Sequence, residues 1–290
     1  MIIQQLTNGL MLGGVYVMIA VAFTLAIGIL NFLNFSIPGI FMIGGMVAWA
    51  LLRSGLHWIA AFSLALSAGV LVGLLVYLLT YRPSGKSDHE VPLVSSLGFL
   101  VLMENLIVIW LGSDQQSFPA LISDFNFRIG SIIIGGAQLL SLVLSLAFVL
   151  ALSLALRLTN MGRQVRAIAE SRRTATILGV QVGTVVPKVF VLSALFTALG
   201  GILFAISYLQ VSSSMGENIG FKGISAMIIG GMGSIWGAVA GGLLIGIVEI
   251  LSIRFLGADF ANISVYGLLL ILLIVRPDGL FGLAAVREKL

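Results

Sequence analysis

Two carboxylates sit where the surrounding sequence should exclude them. Glu104 and Glu249 each lie inside an apolar run long enough to cross a bilayer. An ionised carboxylate at that depth is costly, so it faces a cavity, finds a partner or keeps its proton. Asn105 is the expected hydrogen-bonding neighbour of Glu104. Two readings stay open for the pair: contacts on a polar passage or gate, and fastenings between helices. No chain of Asp, His or Lys accompanies them, so they do not read as a proton relay. Other chemistry is scarce. His57 and His89 stand alone between apolar segments, a poor basis for a metal site. Cysteine is absent, which removes thiolate nucleophiles, disulfides and Cys-ligated metals. No Ser/His/Asp grouping or H-E-x-x-H motif suggests an enzyme. Gly85-Lys86-Ser87 has the last letters of a phosphate loop, but Thr80 stands where its first glycine belongs. An apolar run also replaces the preceding strand, so nucleotide chemistry is assigned to another chain.

The second concentration of chemistry is charge. Six of the fifteen Lys and Arg residues fall between Arg157 and Lys188, against one acid, Glu170. At 3.6 residues per turn Arg163, Arg166, Glu170 and Arg173 share a helix face, with Arg166–Glu170 and Glu170–Arg173 as stabilising pairs. Val165, Ile168 and alanines cover another side, and Gly179 is placed to end the helix. The stretch reads as a short helix outside the bilayer. Its basic character alone is what the positive-inside rule predicts for any cytoplasmic loop.

These residues must be held by elements, and composition says which kind. Of 290 residues, 59% are hydrophobic and 9% charged, and the mean hydropathy is +1.16. The predicted fold is therefore all-α, a polytopic membrane protein of about eight to ten spanning or half-spanning helices. The alternating segments of a membrane β-barrel are missing. The net charge of +4 belongs to residues beside spans and does not suggest nucleic acid. The first apolar run has no basic n-region and exceeds a signal h-region, so it reads as a retained span. We divide the chain as one membrane domain: a first half, 1–158; a cytoplasmic loop, 159–184; a second half, 185–275; and a basic cytoplasmic tail, 276–290.

Expected spans are 9–30, 58–80, 92–112, 129–158, 185–209, 237–255 and 262–275. Gly9 and Gly13 form a small-xxx-small pair, and Gly233, Gly237, Gly241, Gly242 and Gly246 form a stripe for close helix approach. Two stretches break the pattern. The uncharged segment 31–39, with Asn34, Phe35, Ser36 and Pro38, reads as irregular backbone at membrane depth, tolerated where buried or lining a cavity. A short apolar piece, 40–52, follows it. In the second half an outer loop, 212–222, precedes another short piece, 223–236. The two pieces share Ile43-Gly44-Gly45-Met46 and Ile229-Gly230-Gly231-Met232. Short, Gly-broken segments at corresponding positions of two halves mark the substrate path in repeat-built transporters. Gly44, Gly45, Gly230, Gly231 and Gly233 are therefore assigned to the path, with close helix packing as the alternative. With 159–184 inside, Arg82 and Lys86 also fall inside and the 113–128 loop falls outside.

In order and spacing, several motifs resemble permeases of the branched-chain amino-acid family of ABC importers. They include Gly162-Arg163, Arg166-Ala167, Ala169, Ala175 and Gly179-Val180; Asn34-Phe35, Met42 and Gly44; and Arg82-Pro83, Leu97-Gly98 and Glu104-Asn105. The run Gly231-Met-Gly-Ser-Ile-Trp-Gly237, Gly246 with Glu249, and Arg276-Pro-Asp-Gly-Leu-Phe-Gly282 extend the likeness over nearly the whole chain. The resemblance implies that Gly162, Arg163, Arg166, Ala167, Glu170 and Gly179 belong to a coupling helix docking on an ATPase. It implies a second permease, identical or different, two ATPase subunits binding ATP and Mg, and an external solute-binding protein. This chain would carry no cofactor and would sit in lipid, in the bacterial cytoplasmic membrane. The implied cargo is a branched-chain or related amino acid, with urea, a sugar or another small solute, or a stand-alone secondary transporter, as alternatives. Ser36-Ile37-Pro38-Gly39 departs from the family's usual imidazole and acid after Asn-Phe, a difference that bears on cargo.

Overall fold

The computed structural model describes residues 2–30, 32–84, 90–122, 126–130 and 132–282. Lys86, His89, Asp124 and the 283–290 part of the tail lie outside the described residues. Among the described residues eight helices are long and apolar enough to cross a membrane. α1 (Ile2–Leu30) is buried along most of its length. After it come α2 (Ser36–Arg53), α3 (Trp58–Val76), which ends in a π turn (Tyr77–Tyr81), a short α4 (Arg82–Ser84) and α5 (Glu90–Leu111). β1 (Gln116–Ser117), β2 (Asn126–Ile129) and β3 (Ile132–Gly135) precede α6 (Gly136–Leu158). Next come α7 (Asn160–Glu170), α8 (Arg172–Ile177), α9 (Val182–Tyr208), β4 (Gln210–Val211) and α10 (Met215–Gly230). α11 (Ile235–Phe255) and, after a 3-10 turn, α12 (Ala261–Val275) complete the order.

Glycine decides how close these helices come. A Cβ on Gly13 would lie 2.8 Å from Leu243 Cα, and one on Gly9 would lie 2.6 Å from Ile247 Cα. Gly246 faces the Gly9 and Gly13 backbones with no room for a Cβ, and a Cβ on Gly242 would lie 2.7 Å from Val17 N. The α1–α11 crossing is thus backbone on backbone, as small residues permit where lipid leaves no hydrophobic driving force.

The two ends of the bundle differ. At one end β1 pairs with β4 and β2 with β3, both antiparallel. Gln4 fastens the start of α1 there, donating to Ile133 O at 2.7 Å and accepting from Ile133 N at 2.8 Å. Trp49 Nε1 donates to Ser117 O at 3.0 Å, tying α2 to the same end. The opposite end carries α7, α8 and the segment after α12.

Several sequence expectations shift. Residues 129–135 belong largely to a hairpin, because the β-branched run Ile132-Ile133-Ile134 pairs with β2, and the span begins only at Gly136. The piece placed at 40–52 is an 18-residue buried helix that takes Ser36, Pro38 and Gly39 into its first turn. Proline is tolerated there, where its missing N–H has no helical partner. The expected outer loop 212–222 is mostly helix, since α10 starts at Met215.

A buried ion pair and an extramembrane helix pair

The second-half break carries the largest surprise. Lys222, assigned to an outer loop from sequence, is buried on α10, and its Nζ lies 2.6 Å from Glu249 Oε1 on α11. Tyr16 Oη on α1 donates to Glu249 Oε2 at 2.6 Å. Glu249 is therefore not a lone carboxylate. Both its oxygens are engaged, and three helices meet at its head group. Glycine on α10 lets α1 close over the pair, since a Cβ on Gly223 would strike Ile19. Neutralising one charge with another, plus a phenol hydrogen bond, is what a bilayer interior requires of a buried carboxylate.

Glu104 behaves differently. Its Oε1 is buried with no hydrogen-bond partner among the described residues. Asn105 does not serve it: the amide turns along α5 and donates to Val101 O at 2.7 Å. Glu217, exposed near the start of α10, is close enough to Glu104 to interact electrostatically.

The break after α1 is ordered by local bonds. Asn34 Oδ1 accepts from Ser36 N at 3.1 Å and Ser36 Oγ at 2.7 Å, while Phe35 N donates to Ser96 Oγ on α5 at 3.0 Å. Pro38 packs against Gly216 and Gly220, so the first turns of α2 and α10 touch. The two Ile-Gly-Gly-Met copies do not occupy equivalent places. Gly44 and Gly45 lie in mid-helix, against the backbone of Ala198 and against Met215. Gly230 ends α10 against Gly237, Gly231 follows at φ +107°, and Gly233 turns at φ +86°. Residues after α12 close over this turn: Leu280 N and Phe281 N donate to Ile229 O and Gly230 O, each at 2.9 Å.

Beyond the spans at that end, the basic stretch forms two helices, not one. Ser171 ends α7 and caps α8, accepting from Thr174 N at 3.2 Å. Arg173 therefore leaves the face shared by Arg163 and Glu170, and neither arginine–Glu170 pair forms: among the described residues the only ion pair is Lys222–Glu249. Arg163 donates to Asn160 Oδ1 instead, and Arg166 to Leu156 O. Thr159 accepts from Gly162 N at 3.3 Å, and Gly162 sits directly on the Leu156 backbone, so α7 is clamped to the end of α6. Val165 and Ile168 face inward, Ala167 is half-buried, and Arg163 and Glu170 are exposed. Gly179, at φ +84°, follows α8 as expected. Sequence reasoning missed Ile177 and Leu178, which are 77% and 74% exposed beside the basic residues.

Eight span-length apolar helices with a short helix pair beyond their ends define a multi-pass membrane protein. Comparison with known proteins narrows this. The family model for the branched-chain amino acid transport system permease component matches residues 5–275, and the chain belongs to that family of ABC permeases, which are non-catalytic transport subunits. It is 31% identical to the high-affinity branched-chain amino acid transport system permease protein LivH of Escherichia coli K12, over 99% of this chain and 97% of the relative. Identity to BraD of Pseudomonas aeruginosa is 29% over the same shares. A fructose import permease, FruG of Bifidobacterium longum, is 25% identical over 89% of this chain and 78% of its own. The fold is similar to that of PsaBC from Streptococcus pneumoniae in complex with Fab, with a TM-score of 0.52, 13% identity and coverage of 93% and 91%.

Proposed function

We propose that this chain is one membrane half of an ATP-driven importer for branched-chain or related amino acids. In this reading a second permease subunit completes the membrane part, two ATPase subunits bind ATP and Mg at the α7–α8 end, and an external binding protein delivers solute at the strand-bearing end. The observation that carries it is the surface of α7 and α8. Arg163, Glu170, Ile177 and Leu178 stand exposed beyond the spans on helices clamped to α6 and α9. Apolar side chains exposed together outside the membrane, rimmed by charge, mark a protein contact. A clamped helix also transmits displacement better than a loose loop. We assign the solute path to the side where α2 and α10 begin, from Asn34 to Pro38 with Gly44 and Gly45, and to Glu104 beside Glu217. The family and the names of its amino-acid relatives support the cargo.

The test is assembly with cognate ATPase, permease and binding-protein partners in proteoliposomes. Arg163→Glu reverses charge at an exposed site where folding tolerates change, and repulsion at the docking surface should lower both ATPase stimulation and uptake about tenfold or more. Wild-type values for both would remove the coupling assignment. Uptake of leucine against fructose and urea in the same vesicles reads the cargo.

A further inference from the structure

A groove of about 440 Å³ opens at the span ends where α1, α6, α7 and α11 meet. Its walls are apolar, with Leu25, Val165 and Ile235, and Trp236 stands 47% exposed at its rim. One wall is different. Ser153 and Arg157, one turn apart on α6, and Arg166 on α7 bring hydrogen-bond donors to the same cavity. Ser153 is 6% exposed and makes no side-chain hydrogen bond among the described residues. Among the described residues no carboxylate lines the groove and neither arginine has an acidic partner. Arg166 is anchored at the corner by its bond to Leu156 O.

We propose that this groove binds the phosphate headgroup of an anionic phospholipid, with an acyl chain along the apolar wall. Two guanidinium groups and a hydroxyl match phosphate oxygens, and Arg pairs with phosphate through directed, charge-assisted bonds. Basic pockets between span ends collect anionic headgroups, and tryptophan favours the depth where headgroup meets chain. An acidic side chain from a soluble partner would satisfy the arginines but leave the apolar wall and Trp236 facing water. The lipid site does not draw on the docking surface proposed above, because it uses Val165 and Arg166 whereas that surface uses Arg163 and Glu170.

The test uses the purified full-length chain in nanodiscs containing brominated phosphatidylglycerol or brominated phosphatidylcholine. Tryptophan quenching is read, and Trp236→Phe subtracts the signal of Trp49, Trp58 and Trp110. Trp236 should be quenched at lower mole fractions of phosphatidylglycerol than of phosphatidylcholine. Arg157→Gln should shift that dependence about fivefold, the weight of roughly 1 kcal/mol per basic residue near an anionic surface, while Arg157→Lys retains most of the preference. Added inorganic phosphate should not reverse the quenching. Equal quenching by the two lipids, or an unchanged dependence in Arg157→Gln, would overturn the proposal. Reversal by inorganic phosphate would replace the lipid with a free anion. Absence of lipid preference combined with weakened ATPase association in Arg157→Gln would give the groove to a protein partner.

Discussion

At the scale of single residues, the engagement of Glu249 decides its chemistry. A carboxylate flanked at 2.6 Å by both an ammonium and a phenol is held as half of an ion pair. Removing one partner leaves an uncompensated charge inside the bilayer. Lys222→Met should therefore destabilise the chain by about 3–5 kcal/mol, and Tyr16→Phe by about 1–2 kcal/mol. The double substitution Lys222→Met, Glu249→Leu should recover most of the first loss, because an apolar pair of similar size has no charge to desolvate. Thermal or denaturant unfolding in detergent measures these variants and the single Glu249→Leu, and strict additivity of the Lys222→Met and Glu249→Leu losses in the double substitution would show that the pair does not interact. The sequence marked Glu249 as a residue needing an explanation, since charge in an apolar run is visible as a letter. Its partner was not legible. Lys222 follows Glu217 and Asn218 in a polar stretch that reads as a loop, and only the start of α10 at Met215 turns that lysine inward. Glu104 was equally visible, but its expected link to Asn105 failed because an asparagine in a helix can bond its own backbone four residues back.

At the scale of elements, glycine spacing carried most of the readable information. Gly9 and Gly13, with Gly242 and Gly246, do bring α1 and α11 to backbone distance. Gly13→Val or Gly246→Val should cost about 1–3 kcal/mol or more through overpacking, seen as lower yield and a lower unfolding temperature. Gly98 and Gly267 have open space around their Cβ positions. Alanine at either should be neutral or stabilising by up to about 1 kcal/mol. A comparable loss at all four sites would mean that helix approach is not what these glycines supply. The two Ile-Gly-Gly-Met copies serve different backbones: Gly44 continues a helix, whereas Gly231 follows the end of one at positive φ. The basic stretch was legible as helical. The break at Ser171 was not, although serine is a favoured N-cap once a helix start is suspected there. The hairpin before α6 was hidden by its apolar isoleucines, which extend a spanning run as readily as they fill a strand.

For the whole molecule, the ends of the bundle fix an orientation. The start of α1 lies beside the strands, and the end of α1 lies beside α7. If the basic helices are cytoplasmic, the start of α1 is external. Cysteines introduced as Thr7→Cys and Ser117→Cys should therefore be modified by an impermeant thiol reagent from outside, and Ser171→Cys only from the cytoplasm. The native chain contributes no background because it lacks cysteine. Labelling of Ser171→Cys from outside intact cells would invert every side assignment. Ser213, which looks like an equivalent outer position in the sequence, is 7% exposed and would be a poor reporter. The order of the long spans was legible because about twenty apolar residues are needed to cross a bilayer; the eighth, α2, was not, because its apolar piece read as too short. Contacts between distant segments were not, and the clasp of Leu280 and Phe281 on Ile229 and Gly230 is the plainest case. That clasp sets a schedule for biosynthesis. The ribosome makes the α10–α11 turn well before the segment that closes it, and α11 and α12 must be inserted in between. Until then the carbonyls of Ile229 and Gly230 wait unclosed, so a chain halted after α12 should carry every span and still lack a finished surface at the α7–α8 end.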